Sequence, residues 1–324
     1  MRVLITGGAG FLGSLLARRI LAEGTLAVDG AAAAPVDELV LLDLVEPPAD
    51  LVADPRVSVR IGGLTDRMPE EPDVDVVFHL AGVVSGAAEA DFDAGMAGNV
   101  DGTRAVLERC RAQAVPPVLV FSSSVAVYGQ DPAMPPVGEV GDDTFPRPQT
   151  SYGTQKLIGE LLVADCTRKG FVRGRTVRLM TVSVRPGRPN AAASGFLSGI
   201  VREPLAGVRA VCPVPPDTPV VLSSPRRTID GILTAAAVDA PTWGSRTAVT
   251  LPGLTTTPRL MAEALDRVAG PGTSELIDWQ VDPGVTAMVA TWPARIRTDR
   301  ATALGLQPED SFDDIIRVYR EDLR

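Results

Sequence analysis

The stretch MRVLITGGAGFLG (1–13) runs from an apolar segment into glycines and then into FLGSLLARRILAEG (11–24). RVLIT (2–6) has the unbroken apolar texture of a strand covered on both faces. The segment after it places apolar residues at helical spacing, and Gly24 offers a C-terminal stop. Gly7, Gly10 and Gly13 stand in a GxxGxxG spacing at the junction. The first glycine permits a tight turn, the second lets the backbone approach a pyrophosphate, and the third lets helix and strand pack closely. The helix then opens at Phe11 and Leu12 with free N–H groups and the positive end of its dipole toward the phosphates.

Outward from this junction the same texture repeats. ELVLLD (38–43), VSVRIG (57–62), VDVVFHLA (74–81) and PVLVFSSS (117–124) read as buried parallel strands, with helical patterns over 90–113 and 152–169 between and after them. The expected fold is α/β, a Rossmann-type doubly wound parallel sheet with a smaller irregular C-terminal lobe. Residues 1–180 are expected to form the nucleotide-binding domain that carries the chemistry. Residues 181–324, richer in proline turns and short strands, are expected to form a mixed α/β substrate-binding lobe with strands free to return to the main sheet. LAVDGAAAAPV (26–36) reads as a surface insertion whose Ala/Gly content offers little to anchor it. Asp43 ends the second strand, where a carboxylate accepts hydrogen bonds from ribose hydroxyls and repels a 2′-phosphate. No arginine follows it closely, so NAD rather than NADP is the expected cofactor.

Composition narrows the function. The formal charge of -9 argues against nucleic acid or an anionic membrane as partner, so an anionic small molecule would need a local arginine cluster. Cys110, Cys166 and Cys212 are far apart and form no CxxC spacing, which suggests neither a disulfide framework nor a metal site. The opening segment lacks the longer apolar core of a signal peptide, and no apolar run reaches membrane-spanning length. A cytoplasmic location is therefore expected. The single histidine, His79, ends an apolar strand and is read as a hydrogen-bonded core residue, which leaves histidine-based hydrolysis and metal chemistry without support.

TSYGTQKLIGE (150–160) holds one of three tyrosines and Lys156, which with Lys169 completes the chain's lysines. Tyr152 and Lys156 stand at i and i+4, on one helix face. A phenol with a pKa of about 10 is a poor base near neutrality. A nearby ammonium favours the phenolate, and the same ammonium is compact enough to address ribose hydroxyls, which a planar guanidinium is not. Ser122, Ser123 and Ser124 end the fifth strand and approach the crevice that the glycine loop opens.

TGGAGFLG, Asp43, HLAG, NVDGT, SSSVAVYG and YGTQK together, in order, resemble the extended short-chain dehydrogenase/reductase family. The resemblance implies a Ser-Tyr-Lys catalytic set in which the hydroxyl falls on Ser124, with Tyr152 and Lys156 also touching the cofactor. It implies further cofactor contacts at Leu64, Leu80, Ala81, Gly82 and Asn99, and at Thr181 and Val184 after the sixth strand. The family's Gly-Asp before the third helix is Gly62-Gly63 here, so the adenine contact is expected to pass to the Leu64 backbone or to Asp66.

Val125 and Ala126, in place of acidic residues after Ser124, argue against dehydration. TVSVRPGRPNAAASG (181–195) and LSSPRR (222–227) resemble the branch that oxidises D-erythronate, which implies NAD-dependent oxidation of that small sugar acid at C2 to the 2-oxo acid. Arg185, Arg188, Arg226 and Arg227 are candidates for its carboxylate, with Ser85, Ser124, Asn190 and Ser194 for its hydroxyls. A nucleotide-sugar 4-epimerase, another sugar dehydrogenase and an NAD-binding sensor without turnover stand as alternatives. The resemblance also implies a homodimer, paired through the helices of 90–113 and 152–169.

Overall fold

Apolar runs in the first half become strands of one sheet. The computed structural model describes residues 1–131, 133–134, 138–187 and 194–322. Strands β1 (Arg2–Thr6), β2 (Glu38–Asp43), β3 (Val57–Ile61), β4 (Val76–His79), β5 (Val118–Ser124), β6 (Arg173–Leu179) and β7 (Val249–Thr250) lie in the order β7-β6-β5-β4-β1-β2-β3. Every neighbouring pair is parallel. The order reverses at β1, between β2 and β4, and the crevice at such a point is where a doubly wound sheet binds its ligand.

The main helices are α1 (Phe11–Glu23), α2 (Gly102–Arg111), α3 (Ser151–Arg168), α4 (Phe196–Leu205), α5 (Pro225–Ala237), α6 (Pro258–Ala269) and α7 (Phe312–Asp322). Successive strand residues point to opposite faces, so each strand feeds two cores. Val3, Ile5, Leu39, Leu41 and Phe78 pack with Leu16 and Ile20 of α1 and Ile229 and Ile232 of α5. Leu4, Val40, Leu42, Val77 and Phe121 pack on the other face with Val106 of α2 and Val163 of α3. This two-sided burial is why those runs carry no polar alternation.

Gly24 ends α1 in the left-handed region at φ 69°, and its N–H bonds the Ile20 carbonyl at 2.9 Å. The insertion that follows is better anchored than its composition suggests. Thr25–Leu26 and Ala34–Pro35 pair as a short hairpin. The Asp29 carboxylate accepts from Arg173 at 2.8 Å and Arg175 at 2.9 Å, and the Asp29 N–H bonds the Ala236 carbonyl at 2.9 Å. One acidic side chain, rather than the alanines, holds the segment.

Beyond residue 180 the chain builds a third core, with Val184, Leu197, Val201, Leu222, Met261, Leu265 and Ile316 at its centre. Thr181–Val182, Val220–Ser223 and Leu254–Thr256 form a three-stranded sheet there. β7 leaves this region and returns to the main sheet, with Val249 paired to Val177 of β6. Among the described residues no helix is long and apolar enough to cross a membrane.

Candidate active site

A cavity of about 780 Å³ opens over the C-terminal ends of β1, β2, β4, β5 and β6. The glycine loop forms one side. Gly7 takes φ 74°, and a Cβ there would lie 2.7 Å from the Ala81 nitrogen. A Cβ at Gly13 would run into the Gly7 carbonyl oxygen, so any side chain would push α1 away from β1. Gly10, Phe11, Leu12, Leu64, Leu80, Ala81 and Gly82 line the same wall. Asp43 is held rigidly, its Oδ2 accepting from the Ala9 N–H at 2.9 Å and its Oδ1 from the Leu44 N–H at 2.7 Å. A side-chain-free cradle at a helix start, with a fixed carboxylate at the end of β2, fits a dinucleotide without a 2′-phosphate. Of the two adenine contacts expected, Leu64 lines the cavity, together with Gly62 and Gly63; Asp66 is not among the lining residues.

Two expected cofactor contacts stand behind the wall. Asn99 is buried and does not line the cavity. Its Oδ1 accepts from the Val83 N–H at 2.8 Å, and its Nδ2 donates to the Val83 carbonyl at 3.1 Å and to Gln155 Oε1 at 2.7 Å. It clamps the chain after Gly82 to α3. Val184 follows the short strand Thr181–Val182 and is fully buried in the third core, whereas Thr181, Val182 and Arg185 line the cavity.

The opposite wall belongs to β5 and α3. Thr150 caps α3, its hydroxyl accepting from the Gly153 N–H at 3.1 Å, which starts the helix so that Tyr152 and Lys156 face the end of β5. Ser124, Tyr152 and Lys156 all line the cavity, and Ser124 Oγ accepts from the Ala126 N–H at 3.1 Å. Lys156 is buried, and its Nζ donates to the Ser122 carbonyl at 2.9 Å.

Three groups act on the Tyr152 phenol besides its burial: Ser124, Arg185 and Lys156. Burial pushes the Tyr152 phenol up, while the Ser124 hydrogen bond and the Arg185 charge pull it down. The Lys156 Nζ lies 5.7 Å from the Tyr152 ring centroid. Burial brings Lys156 itself down to about 8. Ser124 and Arg185 thus favour the phenolate. Arg185 is pushed below the ordinary guanidinium value by burial, and Tyr152 offsets part of that shift. Its Nε donates to the Val182 carbonyl at 3.0 Å and its Nη2 to the Ser194 hydroxyl at 3.4 Å.

Among the expected substrate contacts, Ser85, Arg185 and Ser194 line the cavity. Arg188 and Asn190 lie outside the described residues. Arg226 and Arg227 are not brought to it. Ser224 caps α5 and Pro225 fills its first position, which turns both arginines outward, and Arg226 pairs with Glu321 at 3.1 Å. His79 is a core residue, its ring nitrogens 2.7 Å from the Thr6 and 3.0 Å from the Thr103 hydroxyls. Burial first, and Lys156 second, lower it to about 3, so it stays neutral.

Sequence reasoning missed Val182, Val220, Met288, Trp292 and Pro293, which line the cavity from the C-terminal part of the chain. The available signal was Trp292-Pro293, an aromatic–proline pair in a chain with three tryptophans. Nothing in its spacing ties it to the crevice.

Comparisons with known proteins agree with this geometry. A family model described as the NAD dependent epimerase/dehydratase family matches residues 3–215. A protein named D-erythronate dehydrogenase in Cupriavidus necator is 52% identical over 99% of this chain and 98% of its own length. One of the same name in Haemophilus influenzae is 40% identical over 99% of both. A crystal structure described as the nucleoside-diphosphate-sugar epimerase from Agrobacterium tumefaciens has a TM-score of 0.90 at 38% identity, covering 99% of this chain and 94% of that one.

Proposed function

The chain belongs to the NAD dependent epimerase/dehydratase family, and on that premise we propose that it oxidises D-erythronate at C2 to the 2-oxo acid, with NAD as cofactor. The observation that carries this reading is the convergence of Ser124, Tyr152, Lys156 and Arg185 on one cavity with the glycine loop. The glycine loop and Asp43 would hold the cofactor's pyrophosphate and adenosine ribose, and Lys156 would hold its nicotinamide ribose. When bound, NAD supplies the acceptor for the hydride that leaves C2.

This chain's residues do the rest. Tyr152, as phenolate, takes the proton of the C2 hydroxyl. Ser124 donates to the same oxygen and fixes its direction. Arg185 meets the sugar-acid carboxylate with a two-pronged donor whose charge is already stripped of water. Its charge also favours the phenolate, so one guanidinium serves both binding and proton removal. The apolar surfaces of Met288 and Trp292 close the substrate side.

The test is a panel of four-carbon sugar acids with NAD or NADP, followed by absorbance of the reduced cofactor and mass analysis of the product. D-erythronate with NAD should give the reduced cofactor and a 2-oxo acid. No turnover of erythronate or threonate with either cofactor sinks the substrate assignment. The Agrobacterium neighbour keeps one rival reading open, a nucleotide-sugar epimerase. That reading requires cofactor retained through purification and no net release of its reduced form. The homodimer reading rests on exposed apolar side chains, Phe92 in the helical run before α2 and Leu161 on the outer face of α3. Sedimentation of the wild-type protein and of Leu161→Glu checks it, with a monomeric wild type as the opposing result.

A further inference from the structure

Below the cavity wall lies a buried ionic layer that the proposed chemistry does not use. Glu160 stands at i+8 from Tyr152 and i+4 from Lys156, on the same face of α3. Its Oε1 accepts from the Ser123 hydroxyl at 2.5 Å and from Arg178 Nε at 2.8 Å, and its Oε2 accepts from Arg178 Nη2 at 2.7 Å. Arg178 of β6 also donates through Nη1 to the Tyr128 hydroxyl, with its guanidinium carbon 4.9 Å from that ring's centroid. Tyr128 ends the turn that directly follows Ser124. Ser123, Tyr128, Glu160 and Arg178 are 2%, 3%, 6% and 5% exposed, so the layer is dry.

Burying such a pair is a poor way to gain stability, because desolvating both ions offsets most of their attraction. What the pair joins is more telling. Ser123 precedes Ser124, and the whole strand end is tied to its surroundings residue by residue. The Ser122 hydroxyl donates to the His79 carbonyl at 3.0 Å, and its own carbonyl receives Lys156. Ser123 reaches Glu160, and Ser124 and Tyr152 line the cavity together. Tyr152, Lys156 and Glu160 repeat every four residues on α3, so rotating the helix about its axis breaks both bonds and moves Tyr152 at once.

Gly153 and Gly159 bring α3 close. A Cβ at Gly153 would strike the Ala126 carbonyl oxygen, and one at Gly159 would lie 2.5 Å from the Phe121 ring. Contacts of this kind set distance but have little angular preference. A two-pronged Arg–carboxylate pair has a strong one.

We infer that Glu160 and Arg178 are positioning residues, which hold α3 and the end of β5 in the register at which the Ser124 and Tyr152 hydroxyls meet. The inference rests on the reading of Ser124 and Tyr152 as the reacting pair, and the experiment separates the two.

The main variant replaces both ions with apolar side chains of similar volume, Glu160→Leu with Arg178→Met. It should fold, with a melting temperature near that of the parent. NAD affinity by calorimetry should be retained, and KM for D-erythronate should stay within about threefold. kcat should fall about 10²-fold, the penalty of a reacting group displaced by a fraction of its contact distance. The acid limb of the kcat/KM profile, which reports the free enzyme, should move to higher pH, because Ser124 no longer stands where it favours the Tyr152 phenolate. A folded double variant with parental kcat and an unmoved acid limb overturns the inference.

Ser123→Ala supplies a milder arm should the double variant fail to fold. A loss of about threefold to tenfold in kcat at constant KM is expected, and parental kcat counts against the idea. Tyr152→Phe runs alongside. If it keeps turnover, the reading of the reacting pair fails; if it is inactive while the double variant is fully active, only the positioning role fails. Ultraviolet difference titration of the Tyr152 phenol, each protein against its own Tyr152→Phe form, reads the same shift without any substrate.

Discussion

The cavity wall and the layer beneath it share the end of β5, yet they treat buried cations in opposite ways. In the wall, Lys156 is buried and Arg185 partly buried, and among the described residues no carboxylate pairs with either. Burial lowers both. In the layer beneath, burial also lowers Arg178, but Glu160 and Tyr128 outweigh it and leave the guanidinium above its ordinary value. A desolvated charge without a counter-ion is unfavourable in the free protein, and it persists where a ligand completes it. A desolvated charge with its full set of partners has nothing left to offer a ligand. The first arrangement marks the chemistry; the second marks what holds the chemistry in place.

The contrast can be broken most severely at the base. Tyr152→Phe should lower kcat by about 10³-fold or more while calorimetry shows NAD affinity intact. Loss of NAD affinity would instead assign the phenol to the fold. Lys156→Met sharpens the comparison, because activity and stability should move in opposite directions. Lys156 sits at about 8 in the folded protein, below its ordinary 10.5. The folded state therefore gives up stability as pH falls between these values, and below about 8 it carries a penalty on the order of a few kcal/mol. The methionine variant should lose turnover yet unfold at higher urea concentration near neutral pH, and a lower midpoint would contradict the account.

Arg185→Gln should raise KM for the sugar acid about tenfold to a hundredfold, the worth of a charged hydrogen bond. It should also move the acid limb of kcat to higher pH, since Arg185 pulls the phenol down. An unchanged KM would transfer the carboxylate to another group. The smallest effect is expected at His79, a buried group held neutral at about 3 from an ordinary 6.5. Its contribution is complete above 6.5 and is lost as pH falls toward about 3, because only the unfolded chain takes up the proton over that range. Urea melts at about pH 7 and about pH 5 should show the parent losing about 1–2 kcal/mol more than His79→Gln between them. Equal losses would mean that His79 is protonated in place.

How well the sequence could be read followed the range of the interaction. β2 and β5 begin and end within a residue of the apolar runs that announced them, and the glycine spacing located the cradle. These features depend on periodicity and backbone, which are properties of neighbouring residues. The hairpin of 25–35 was misjudged because its anchor, Asp29, pairs with Arg173 and Arg175, far along the chain. Arg226 and Arg227 looked as eligible as Arg185, since composition carries no direction; the cap at Ser224 turned them outward. Asn99 was recognised as belonging to the site but misplaced within it, because a clamp on Val83 and a contact with ligand leave the same trace in a sequence.

By itself, the sequence determined the strand–glycine–helix junction, the carboxylate at Asp43 and the Tyr152–Lys156 face of α3. Each is a matter of spacing within one element, where geometry follows from residue number. The tertiary structure alone decided that Arg185 stands where its charge opposes the rise of the Tyr152 phenol, that Trp292 lines the cavity, and that Glu160 meets Arg178. Those pairings join elements whose relative placement is set by how the cores pack, and no local pattern encodes the angle at which two packed elements meet.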